Sequence, residues 1–271
     1  MTALARLFRR LLGTLALLAL PLLALTFAAA PAGAQQSTPT GSAAPGDASP
    51  FSGQEQDAID RRVRAYILDN PEIIMQAVQI LRDRQEQQAE NARRQGVRQH
   101  AEALRDSGPL PVLGNPDGDV TIVEFFDYRC PYCRQVSNLA LATAKADGNV
   151  RVIYKEYPIL GPDSEFASRA AIAAAMQGEY AAFHKALMTE VQTVNQDSVM
   201  RLAEMMDLDI AQLKADMQSD TVTQTIQRTR QLGQQLRING TPAFIVGTEV
   251  APGAISRDEL EKMIAQARQE G

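Results

Sequence analysis

The sequence predicts an α/β fold with an all-helical insertion, preceded by a helical N-terminal extension. Three observations predict it. Val120 to Phe126 is a strand-length run of Val, Ile and Phe that leads into Cys130 and Cys133, and a helix-like Ala/Leu segment follows. From residue 163 to about 236 the chain is helical, divided by short caps. Thr241 and Pro242 then stand at the head of a short apolar strand, and the chain closes on an amphipathic helix.

Residues 1–34 read as a secretory signal peptide rather than structure. Arg6, Arg9 and Arg10 precede an apolar core at 11–25, and Ala32-Gly33-Ala34 gives the small-x-small pattern of a cleavage site. The alternative is an uncleaved membrane anchor. No cysteine follows the core, which argues against a lipid anchor. Export would place the remainder in the periplasm, where disulfides persist. Cleavage would remove three Arg and no acid, leaving 24 basic against 32 acidic side chains, a net charge of −8. That balance argues against nucleic acid or an anionic membrane surface as partner. Residues 35–52, rich in Ser, Thr, Pro, Gly and Ala, carry too little apolar surface to order themselves and predict a flexible tether.

Residues 53–107 predict a helical module. Ser52 and Glu55 have the spacing of a capping box for a helix running to about Asp69, and Asn70-Pro71 restarts a second one with Asn70 as its cap. Ile59, Val63, Tyr66 and Ile67 share one face of the first helix. Ile73, Ile74, Ala77, Val78 and Leu81 share one face of the second. Beyond Leu81 the sequence turns polar, with no stripe wide enough to pack on a domain. The apolar stripe therefore packs on copies of itself, as a homo-oligomer, or folds back on the rest of a monomer.

Residues 108–271 predict the second domain, with the helical insertion at about 163–236. Cys130 and Cys133 are the only cysteines. A pair of this spacing, at the end of a strand and the start of a helix, has the layout of a redox dithiol. Unpaired N–H groups at the helix N-terminus favour a thiolate at Cys130, and Pro131 suits the first turn. Two buried thiols, a structural disulfide or half of a zinc site are the competing readings. Zinc usually needs four ligands, and only His100 and His184 remain, far off in sequence. No metal or other cofactor is expected. Glu124 interrupts the buried strand and is costly there unless paired or protonated. It reads either as an acid that moves protons to and from Cys133, or as an ion-pair partner of Lys155 in the next strand, or as a strand-end acid in water. His184 lies among core-like positions and reads as a packing residue. Asp197 and Asp209 read as helix caps, Ser256 and Glu259 as a further capping box, and the Met residues of the helical block as core filling.

Strand, Cys-x-x-Cys, helix, strand, helical block, Thr-Pro, strand and helix, in this order, resembles the thioredoxin fold with a helical insertion. In particular it is similar to the DsbA-like periplasmic thiol–disulfide oxidoreductases. The residues that carry the match are 124–133 (EFFDYRCPYC), 155–164 (KEYPILGPDS) and 240–244 (GTPAF). The segment around residues 69–72 also resembles the ScsC-like and Com1-like branch, where such extensions mediate trimerisation. The resemblance implies catalysis of disulfide formation, reduction or isomerisation in exported proteins, together with a membrane redox partner. It implies that Cys130 is the exposed nucleophile and Cys133 the buried resolving thiol. Pro242 would be a cis proline facing the disulfide, the Thr241 backbone would pair with a bound substrate strand beside Pro131 and Tyr132, and Glu124 would be the buried acid. The sequence departs from the strongest oxidases in having Pro131-Tyr132 where they have Pro-His. A tyrosine offers a thiolate no positive charge, so a milder oxidant is expected. The competing activity is Cu(I) binding by the dithiol, because thiolates suit a soft ion and the ScsC-like branch is linked to copper tolerance.

Overall fold

The structure, a computed structural model, describes residues 50–270. The signal peptide and the tether up to residue 49 lie outside the described residues. The chain divides after Arg64 into two compact units. In the first, the Glu55 carboxylate accepts hydrogen bonds from the Ser52 N–H and hydroxyl at the start of α1 (Gly53–Asp69). Only the Glu half of the predicted box forms, because the hydroxyl donates to Glu55 instead of accepting from the helix. Ile59 and Val63 are exposed.

The second unit contains α2 (Glu72–Gln99) and α3 (Ala101–Arg105). Pro71, not Asn70, is the cap of α2. Asn70 turns backwards: its side-chain amide and its backbone N–H both donate to the Tyr66 carbonyl, closing the last turn of α1. Tyr66, Leu68, Ile74, Met75, Val78, Ile80 and Leu81 are all exposed. The reading of the stretch after Leu81 as unable to pack is corrected at its far end. Val97 and Leu104 are buried against Val123, Phe125 and Ile153. One apolar side chain every two helical turns suffices there, since the sheet face beneath is itself apolar.

The sheet has the order β1 (Leu113–Gly114), β3 (Val150–Glu156), β2 (Val120–Phe126), β4 (Ala243–Val246), β5 (Glu249–Pro252). β2 and β3 are parallel, and every other pairing is antiparallel. β2 is central and buried on both faces, as its composition predicts. β1 and β5 are additions to the predicted order, too short for a periodic signal. After β2 come α4 (Pro131–Val136) and α5 (Leu139–Asp147). The insertion after β3 is all helical: α6 (Pro162–Met176), α7 (Tyr180–Thr189), α8 (Gln196–Met205), α9 (Ile210–Met217) and α10 (Asp220–Gln235). α11 (Arg257–Glu270) closes the chain.

Asn195 rather than Asp197 caps α8, in a reciprocal box with Ser198, which leaves Asp197 in the first turn. Asp209 does cap α9, accepting from the Gln212 N–H. Ser256 accepts from the Glu259 N–H ahead of α11. Met188 and Met217 fill the core as expected, but Met205 lies on the surface at the end of α8.

Candidate active site

The site is built where β2 gives way to α4. Asp127 follows the strand, fully buried. Its Oδ1 accepts from the Arg129 N–H and the Ser164 hydroxyl, both at 2.8 Å, and its Oδ2 from the N–H groups of Ile159 and Leu160 at 2.8 and 3.0 Å. Its carbonyl takes the Cys130 N–H at 3.0 Å. One carboxylate thus fixes the turn into the cysteines, the loop after β3 and the start of α6.

Cys130 is the N-cap of α4 with an extended backbone, and Pro131 opens the helix. Both cysteines are free thiols. The exposure that the resemblance implies for Cys130 is absent: the residue is 4% exposed, against 0% for Cys133 and 61% for Tyr132. The physical reason is the Thr241 carbonyl, which lies 3.1 Å from Cys130 Sγ and accepts its hydrogen bond. The Thr241–Pro242 peptide is cis, and the Pro242 carbonyl accepts from the Gly253 N–H at 2.8 Å, tying this loop to the end of β5. Burial pushes the Cys133 thiol far above its ordinary range, with Cys130 adding to the effect against hydrogen bonds that lower it. Residues 130–133 and 241–242 therefore meet at the Thr241 carbonyl, although 111 positions separate Cys130 from Thr241.

Glu124 is 2% exposed, its Oε2 has no hydrogen-bond partner, and burial raises its carboxyl well above the usual range. The alternative of an ion pair with Lys155 is corrected. In the parallel register Glu124 stands opposite Tyr154 and Lys155 opposite Phe125, so the acid and the base point to opposite faces of the sheet. Lys155 Nζ instead donates to the carbonyls of Ala103 and Asp106 at the end of α3. Burial lowers it to about 8, partly offset by the Asp106 charge. The reading of Glu124 as a strand-end acid in water fails for the same reason of burial.

Sequence reasoning missed a second buried acid. Glu156 ends β3, and its Oε1 accepts from the hydroxyls of Tyr128 at 2.8 Å and Tyr180 at 3.0 Å. Burial pushes its carboxyl up to about 8, against the nearby Ser168 hydroxyl and the two tyrosine donors, which lower it. His184 is a packing residue as expected, stacked on Tyr154 with ring centres 4.4 Å apart, and burial lowers it to about 3. It also touches the network, with Nδ1 3.1 Å from the Tyr128 hydroxyl. The available signal was an acid at the end of an apolar strand, akin to the acid within a strand that singled out Glu124. Among the described residues no group of three or more His, Cys, Asp or Glu is placed to hold a metal ion, and no helix is long and apolar enough to cross a membrane.

Residues 121–265 match the DSBA-like thioredoxin domain, more than half of the chain. The chain belongs to that family. Residues 55–88 of this DSBA-like protein also match the copper resistance protein ScsC N-terminal domain. A thioredoxin-like oxidoreductase from Silicibacter pomeroyi is 46% identical, with a TM-score of 0.60 over 62% of this chain and 97% of that one. Proteus mirabilis ScsC in a transitional conformation is 26% identical, with a TM-score of 0.60 over 82% of this chain and all of that one. The probable disulfide bond formation protein D of Bacillus anthracis is 24% identical over 56% of this chain and 75% of its own length. The chain spans only 24% of the length of the Na(+)/H(+) antiporters of two Salinispora species that it also matches. Thioredoxin fold, helical insertion and the family expected from the sequence are all shown.

Proposed function

We propose that this DSBA-like protein is an exported, periplasmic thiol–disulfide oxidoreductase acting on secreted proteins through Cys130-Pro131-Tyr132-Cys133. The observation that carries the proposal is one hydrogen bond: Cys130 Sγ to the carbonyl that precedes the cis proline, with the second thiol buried behind it. A substrate strand that pairs with the Thr241 backbone takes over that carbonyl and uncovers Sγ. Tyr132 offers an exposed ring beside it, and Pro242 forms the opposite wall.

In the reductive direction the Cys130 thiolate attacks one sulfur of a substrate disulfide. That bond breaks, a mixed disulfide forms, and one substrate thiolate leaves with the electron pair. The Cys133 thiolate then attacks Cys130 Sγ, expels the second substrate thiolate and closes the intrachain disulfide. The substrate gains two electrons, and the thiol protons end on its sulfurs. Run backwards, the same steps donate a disulfide, and a membrane redox partner would restore the starting state. Glu124, buried and protonated, supplies a proton when Cys133 leaves as a thiolate inside the core. The exposed apolar side chains of residues 59–81 support self-association, as a trimer or another homo-oligomer.

A second reading is favoured by the match of residues 55–88 to the copper resistance protein's N-terminal domain: the reduced pair would hold Cu(I) as cargo. Turnover of a disulfide substrate such as insulin separates the two. Reduction by the wild type and none by Cys130→Ser supports exchange. No turnover by either, with tight Cu(I) binding by the reduced thiols, replaces it with the second reading.

A further inference from the structure

We infer that Glu156 is a positioning residue for Cys130, holding through Tyr128 the segment that delivers the nucleophile and coupling that segment to pH. The inference deepens the redox reading and rests on it. The geometry is a directed chain. The Tyr128 and Tyr180 hydroxyls both donate to Glu156 Oε1, which leaves the Tyr128 oxygen to accept from His184 Nδ1–H. Tyr128 is fully buried and lies two residues before Cys130. Its neighbour Asp127 fixes the same segment from the other side, through Ile159, Leu160 and Ser164. The approach to Cys130 is therefore clamped at two adjacent side chains, Asp127 and Tyr128, and the second clamp ends on the Glu156 carboxyl.

Glu156 Oε2 has no hydrogen-bond partner, so ionisation there places a buried negative charge with no cation to meet it. The titratable groups that face it come from three elements. Tyr128 and Asp127 lie in the segment after β2, with Tyr128 donating and Asp127 repelling, and Tyr180 and His184 come from α7. Glu124 on β2 acts on Tyr154 and Tyr180 at the same core. Desolvation places the Glu156 titration near 8, within the range where thiol chemistry is run. Ionised Glu156 binds the tyrosine hydroxyls more tightly and repels charge developing at Cys130.

The test is the pH profile of Cys130 alkylation by iodoacetamide, read with Cys133→Ala present throughout so that one sulfur reports. The parent should show an inflection near 8 besides that of the thiol itself. Glu156→Gln keeps an acceptor for both tyrosines and cannot ionise, so the inflection should vanish while the rate near pH 7 stays within about twofold. Tyr128→Phe keeps the ring and cuts the link, and should also abolish it. Tyr180→Phe removes a bond that favours the carboxylate, so the inflection should persist and move to higher pH. Superimposable profiles for the parent, Glu156→Gln and Tyr128→Phe would overturn the inference. Alkylation needs no disulfide exchange, so a protein that fails the insulin assay would lose the redox reading while this profile still decided the role of Glu156.

Discussion

Replacing Glu156 by Gln should flatten the dependence of stability on pH just above neutrality. The carboxyl titrates near 8 in the folded chain and near its ordinary 4.5 when unfolded. Between those values the folded state holds a proton that the unfolded state has released, so stability falls as pH rises. Each pH unit costs about 1.4 kcal/mol while one proton separates the states. His184 acts in the opposite sense: lowered from 6.5 to about 3, it makes stability rise with pH within that interval and is nearly spent above it. Lys155, lowered to about 8, acts only above that value. The window from pH 6.5 to 8 therefore isolates the buried acids. Glu156 alone should contribute a loss of about 2 kcal/mol across it, a sizeable part of the stability of an ordinary domain. Glu124, also raised by burial, adds to the slope with the same sign. Urea unfolding of the reduced protein at constant ionic strength measures the effect. Glu156→Gln should lose about 2 kcal/mol less than wild type between the two pH values. Equal slopes for both proteins would refute the assignment of Glu156 as a protonated buried acid.

Three further outcomes are expected. Asp127→Ala strips the acceptor from three backbone N–H groups and one hydroxyl, and should cost about 3 to 5 kcal/mol in urea unfolding. A loss below about 1 kcal/mol would mean that water replaces the carboxylate. Tyr132→His places a protonatable ring beside Cys130 and should shift the equilibrium with glutathione towards the reduced protein, roughly tenfold at pH 6. An unchanged constant would remove the dipeptide from control of the potential. Ile74→Glu with Leu81→Glu charges two exposed apolar positions of α2 and should lower the mass seen by light scattering to that of one chain, leaving Cys130 alkylation unaltered. An unchanged mass would exclude this stripe as the contact.

The parts legible in the sequence were those with a strong local signal. Val120–Phe126 declared itself a central strand by being apolar at both parities, and the helix after it by Pro131 at its first turn. The cis form of Pro242 came from the family resemblance, its place ahead of a strand being a weak signal alone. What stayed hidden depended on register and distance. Whether Glu124 meets Lys155 is a matter of one residue of strand offset, which no composition reveals. The contact between Cys130 and Thr241 follows from closing the sheet around a five-helix insertion, and with it the burial of a sulfur expected at the surface. Val97 and Leu104 were too sparse to form a stripe, although they cover the second face of the sheet. Glu156 was visible as a residue, but its role is set by Tyr128, Tyr180 and His184, which arrive from two other segments.

The most direct test of the exchange mechanism is to trap its intermediate. Reduced Cys133→Ala protein, mixed with two peptides joined by one disulfide and quenched in acid, should hold one of the peptides in a bond to Cys130 while the other leaves as a thiol, the adduct being released by dithiothreitol and located by mass spectrometry. The wild type should show no such adduct, because Cys133 displaces it. A Cys133→Ala protein that remains unmodified would contradict the account, since the sulfur under the Thr241 carbonyl would then be sealed rather than guarded.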